Sequence, residues 1–154
     1  MQWLYDLVTN PFLITGVSSW AIAQIMKVII HAIIYKKLDW ERLFGDGGMP
    51  SGHSATVSSL AVFCGIMCGT GSAAFAISAI LAIVVCHDAM GVRRETGKQA
   101  VILNDLIKAF NDLSKEDVLP ETKLKEFVGH TPVQVVAGVL IGIANAFFMY
   151  CILV

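Results

Sequence analysis

An all-α polytopic membrane bundle is the fold class this sequence predicts, with about four transmembrane helices and amphipathic helices at the interface. Three observations lead there. Hydrophobic residues fill 56% of the 154 positions and charged residues only 15%, where a soluble domain carries about 25% charged residues. The mean hydropathy is +0.70. Charge is also segregated, since no Asp, Glu, Lys or Arg lies between Asp46 and Asp88 or after Glu126. At ~1.5 Å per helical residue, about 20 residues cross the ~30 Å of bilayer hydrocarbon.

The elements follow in chain order. The opening MQWLYDLVTNP has no basic n-region and no small-residue cleavage site, so no removable signal peptide is expected. A first span is expected over 12–35, interrupted by Lys27. The Gly-rich stretch DWERLFGDGGMP (39–50) leads to a second span over 51–68. Pro50 suits a helix start, with Ser51 and Gly52 in the first turn. Ser, Ala and Gly in this span permit close helix contact. The breaker GTGS (69–72) precedes a third span over 73–90, and a fourth occupies 132–154. The polar segment 91–131 contains AVILNDLIKAFNDL, whose apolar residues at 102, 103, 106, 107, 110 and 113 form the stripe of an interfacial amphipathic helix. SKED (114–117) reads as a capping box, and PETKLKEFVG as a short helix ended by Gly129. Residues 1–154 are read as a single membrane domain. Cys64, Cys68, Cys86 and Cys151 all fall inside spans and read as small apolar packing residues.

Orientation comes from the basic residues. Lys36, Lys37 and Arg42 lie between spans one and two; Arg93, Arg94, Lys98, Lys108, Lys115, Lys123 and Lys125 lie between spans three and four. Only Lys27 is inside a span. The positive-inside rule puts both loops in the cytoplasm and both termini outside, and the plasma membrane of a bacterium is the expected location. Nothing in this distribution calls for a nucleic-acid partner.

Ionisable groups within spans are costly, which makes each a functional candidate. Gln24, Lys27 and His31, spaced i, i+3, i+7, share a helix face. His53 opens the second span, His87 and Asp88 close the third, Arg93 and Arg94 follow, and His130 opens the fourth. All belong to the cytoplasmic end. The inventory suits a phosphate group. Helix-start N–H groups of Ser51, Gly52 and His53 favour an anion, Arg and Lys neutralise phosphoryl oxygens, and histidine can protonate a leaving alkoxide or attack phosphorus. Plainer roles stand beside these. His31 and His87 fit as hydrogen-bonded packing residues, Lys27 as a snorkelling cation, and Asp88 as an ion-pair partner of Arg93 or Arg94. Arg93, Arg94 and Lys98 fit as membrane anchors. His53, His87, Asp88 and His130 lack a recognisable metal-ligand spacing, so neither metal nor cofactor is expected.

PSGHS (50–54) and GHTPVQVVAGVLIG (129–142) resemble the second and third motifs of the type-2 phosphatidic acid phosphatase superfamily, which includes vanadium haloperoxidases. With SSWAIAQIMKV and HDAMGVRRETGKQA in the same order, nearly the full length is similar to the divergent branch of that superfamily. The resemblance implies a phosphatase acting on a phosphorylated membrane lipid, namely phosphatidic acid, an isoprenoid phosphate or diphosphate, or phosphatidylglycerol phosphate. It implies His130 as the nucleophile that forms a phosphohistidine and His53 as the general acid for the leaving alcohol. Ser51 and Gly52 amides would cradle the phosphate, and Lys27 would correspond to the lysine of the first motif. The third motif usually carries Asp four residues after its His and Arg six before; here these are Gln134 and Leu124, and the Arg-Pro pair of the first motif is absent. Arg93 and Arg94 are expected to replace the arginines, and Asp88 the carboxylate, with His31, Lys98 and Gln134 in support. A non-catalytic lipid-phosphate binder or transporter, and a structural membrane subunit, stay open as alternatives, as does a homo-oligomer.

Overall fold

A computed structural model describes residues 1–36, 48–114, 124 and 129–154. Among the described residues every regular element is a helix: α1 (Gln2–Val8), α2 (Pro11–Tyr35), α3 (Gly52–Cys68), α4 (Ala73–Met90), α5 (Val92–Ser114) and α6 (Pro132–Leu153). The capping box expected at 114–117 and the short helix at 120–129 lie outside the described residues, apart from Ser114, Leu124 and Gly129.

Side-chain caps fix where the helices begin. Asn10 Oδ1 accepts from the N–H groups of Phe12 at 2.9 Å and Leu13 at 3.3 Å, with Pro11 in the first turn, where its missing donor leaves nothing unpaired. Ser72 Oγ accepts from Phe75 N–H at 3.2 Å. Ser51 Oγ accepts from Ser54 N–H at 3.3 Å, so Ser51 is the cap of α3 rather than a first-turn residue, and Pro50 lies just outside the helix. Helix α5 extends back to Val92 over VRRETGKQ, a stretch without the apolar stripe that marks its second half. Helix α1 has no buried residue and left no pattern to read in the sequence.

Among the described residues, three runs are long and apolar enough to cross a membrane: Pro11–Tyr35, Ala73–Leu113 and Pro132–Leu153. Helix α3, with 17 residues, reaches only ~26 Å at 1.5 Å per residue. It is the inner helix, packed against α2, α4 and α6. Eight of its residues are buried, against two on α4. The α4 surface instead presents Ile77, Ile80, Ile83 and Val84 outward, a face that suits lipid tails. The chain is an all-α integral membrane protein.

Helix α6 meets α3 along Gly138, Gly142 and Ala146. A Cβ at Gly138 would collide with the Ser51 carbonyl oxygen, and one at Gly142 with the Ala55 carbonyl oxygen. The two backbones therefore touch, in the small-xxx-small manner that gives membrane helices their dispersion contact. Ala146 continues the row into a core with Phe63 and Met149.

A polar cluster is buried between α6 and α2. Asn145 Nδ2 donates to Ser19 Oγ at 2.7 Å and Ser18 Oγ at 2.9 Å, with the Thr15 carbonyl at 3.3 Å. Such interhelical bonds average about 0.6 kcal/mol and reach about 1.7 kcal/mol. Asn145→Leu is expected to destabilise the bundle within that range, read as a lower unfolding midpoint in detergent. The loss is modest because the freed serine hydroxyls can turn to carbonyls of their own helix, as Ser18 already does to Thr15 at 3.0 Å.

Candidate functional site

The polar residues at one end of the bundle gather around His130, whose place is set from three sides. Its N–H donates to the Ala89 carbonyl at 2.9 Å, tying it to the end of α4. Gly129 before it has φ +89°, and a Cβ there would collide with the Arg94 amide nitrogen and come within 2.7 Å of the Arg93 carbonyl carbon. Only glycine allows both that backbone turn and that approach. After it, Thr131 caps α6 in a capping box with Gln134.

The capping box also decides the imidazole's tautomer. Thr131 N–H donates to Gln134 Oε1 at 3.0 Å, which fixes that atom as oxygen. The same oxygen lies 3.2 Å from His130 Nδ1. An amide oxygen cannot donate, so Nδ1 carries the proton and Nε2 keeps its lone pair. Gln134 thus holds the ring nitrogen that Asp88 was expected to hold. Asp88 is engaged elsewhere, accepting from Arg93 Nε at 2.8 Å in a half-exposed ion pair.

His130 is 4% exposed. Burial pulls its pKa below the ordinary 6.5; the charges of Lys27 and His53 lower it further, while the Gln134 bond and a Gly48 backbone contact raise it. The unfolded chain therefore takes up a proton near pH 6.5 that the folded chain refuses until lower pH. Stability is full above 6.5 and falls as pH drops from 6.5 toward the folded value. Melting temperature in detergent should decline through that window, and His130→Asn should flatten the decline.

Two hollows flank the His130–Gln134 pair. One, of ≈ 270 Å³, is lined by His53, Val84, Val85, Asp88, Ala89, Arg93, Gly129 and His130. The other, of ≈ 190 Å³, is lined by Lys27, His31, Tyr35, Gly48 and Gln134 together with apolar side chains. Both adjoin His130, on whose ring the Lys27 charge and the Gly48 backbone also act. His53, Asp88, Arg93 and His130 come together on one side, Lys27, His31 and Gln134 on the other.

The remaining candidates lie outside both. Ser51 N–H is already donated to the Gln134 carbonyl at 3.0 Å, joining α3 to α6, and Gly52 packs toward Trp20 and Gln24. A side chain at Gly52 would press on Trp20, so both residues set helix geometry. Arg94 is exposed and contributes its backbone under Gly129, and Lys98 pairs with Glu95 at 2.6 Å on the surface. The exposed His87 lines neither hollow. Leu124 exchanges two backbone hydrogen bonds with the Asn104 side chain, at 3.0 and 3.1 Å. Sequence reasoning missed Val84, Val85, Tyr35 and Thr131, which have no distinctive spacing; Gly48 and Gly129 were signalled by their position beside the motifs.

Residues 8–145 match the description of the Divergent PAP2 family. The uncharacterized membrane protein YuiD of Bacillus subtilis (strain 168) is 40% identical over 146 residues, covering 90% of this chain and 92% of that protein. No solved structure gives a significant match. A match across almost the whole length, with the fold above, is decisive: the chain belongs to the Divergent PAP2 family.

Proposed function

We propose that the protein is a membrane lipid phosphatase that works through a phosphohistidine at His130. One observation carries this reading: His130 has Nδ1 tied to Gln134 and shares a cavity with His53 and Arg93. Nε2 attacks phosphorus and the ester P–O bond breaks. Protonated His53 gives its proton to the departing alkoxide, and Arg93 neutralises the phosphoryl oxygens. Water then attacks the phosphohistidine, the P–N bond breaks, and neutral His53 accepts the water's proton as inorganic phosphate leaves.

Val84 and Val85, on the lipid-facing α4, give that cavity an apolar wall. This supports a substrate still embedded in the bilayer, such as phosphatidic acid, an isoprenoid phosphate or diphosphate, or phosphatidylglycerol phosphate. The bacterial relative supports a bacterial membrane, and the basic residues support a cytoplasmic site with outward termini.

The test is inorganic phosphate release by purified protein from a panel of these lipids. His53→Ala is expected to slow release from alkyl phosphates far more than from an aryl phosphate, whose phenol leaves without protonation. Binding of the panel with no release from any member would replace this reading with a lipid-phosphate binder, for which Gln134 and Leu124 in place of the motif's Asp and Arg are the sequence argument.

A further inference from the structure

We infer that α1 is an interfacial anchor, lying in the headgroup layer at the N-terminal end of α2 with Trp3, Leu4, Leu7 and Val8 toward the acyl chains. Two helical turns are too short to carry a periodic signal, but once folded they sort into two sides. Trp3 with Leu7 and Leu4 with Val8 are spaced i, i+4 along one side, and Gln2 with Asp6 along the other. Gln2 Nε2 donates to Asp6 Oδ1 at 3.4 Å, which keeps the polar groups together. No residue of α1 is buried, and Trp3 is 70% and Val8 67% exposed.

The bundle does not cover the apolar side. Among the described elements α1 touches α2 alone, so it does not fold over the ends of α3, α4 or α6. Its departure from α2 is fixed by hydrogen bonds. The Tyr5 carbonyl accepts from Thr9 N–H at 2.9 Å and from Thr9 Oγ1 at 2.7 Å, and Asn10 N–H donates to the Leu7 carbonyl at 3.4 Å before Asn10 caps α2. The anchor is thus held at the start of a helix long and apolar enough to span, and runs straight into that helix's exposed apolar positions Leu13 and Val17. At that level the surroundings are headgroups and upper acyl chains, where Trp and Tyr are the favoured residues and an amphipathic helix buries its apolar face. With no basic residue in α1, the attraction rests on the apolar side and the aromatic rings rather than on anionic lipid. Fixing the start of α2 at this level sets the depth of that helix in the bilayer.

Tryptophan quenching in the full chain, reconstituted in phosphatidylcholine vesicles, tests the anchor. Trp3 packs against no core, so Trp3→Phe leaves the bundle intact, and the wild-type signal minus that of the variant isolates Trp3 from the other tryptophans. Trp3 emission is expected to be blue-shifted from that of tryptophan in water. Lipid brominated high on the acyl chain should quench it more than lipid brominated near the terminal methyl. In a Leu4→Ser, Leu7→Ser background, measured with and without Trp3→Phe, acrylamide quenching of Trp3 should rise severalfold. Water-like emission with full acrylamide quenching in the wild type would overturn the inference. So would shielding from both acrylamide and brominated lipid, which marks a protein partner, or strongest quenching by the deep bromines, which makes α1 part of a span. Trp3 signals unchanged by the two serines would equally reject the apolar side as the binding face.

Discussion

His130→Ala is expected to lower phosphate release by roughly 10³-fold or more, the scale on which loss of a covalent nucleophile is felt. Helical content and the elution volume in detergent should be unchanged, because Gly129, Thr131 and the backbone bond to Ala89 all survive the truncation. The neighbouring substitution tests the geometry rather than the nucleophile. Gln134→Leu deletes the acceptor that keeps the proton on Nδ1, so turnover should fall by about 10²–10⁴, the range set by loss of the correct tautomer in histidine-based catalysis. Gln134→Glu keeps an acceptor and adds a negative charge. That charge raises the His130 pKa, and the acid limb of the pH–rate profile should move to higher pH. A purely structural role for Gln134 would leave the limb in place. Full activity in His130→Ala would dispose of the mechanism.

Gly142→Leu is expected to have the largest effect on folding. Its side chain would have to enter space held by the Ala55 carbonyl and the Ser59 amide nitrogen, the latter 2.9 Å from the first added carbon. Backbone cannot rotate aside as a side chain can, so the cost should exceed the 1–3 kcal/mol typical of an overpacked core. Gly138→Leu meets the Ser51 carbonyl and Ser54 Cβ in the same way. Either substitution should abolish a monodisperse peak in detergent. Gly138→Ala should give a folded protein with a lower melting temperature and reduced activity, because moving α6 from α3 also strains the Ser51–Gln134 bond beside His53 and His130. Unchanged melting in all three variants would mean the helices do not touch there.

Much of the architecture was legible because hydrophobic length and charge segregation are strong signals. The expected spans at 12–35, 51–68, 73–90 and 132–154 lie over α2, α3, α4 and α6. The start of α5 was not legible, since VRRETGKQ is exposed on most faces and leaves no periodicity. At the site, the residues named from the sequence gather at one end of the bundle, but which of them line a common hollow was not legible. Lys27 and Arg93 look equivalent as cations, yet they line different hollows, Lys27 with Gln134 and Arg93 with His130. The Gln134 contact with His130 was legible from its place four residues after the histidine; that Asp88 pairs with Arg93 instead depends on the turn between α4 and α5.

The uncharged amide at position 134 has a chemical consequence for the proposed cycle. Phosphorylation at Nε2 leaves the imidazole with a proton on Nδ1 and hence a positive ring, which a carboxylate would neutralise and an amide does not. The covalent adduct would sit high in free energy, form slowly and decay fast. In steady state little of it would accumulate, and acid quenching during turnover would capture only a small fraction of the protein in the labelled form.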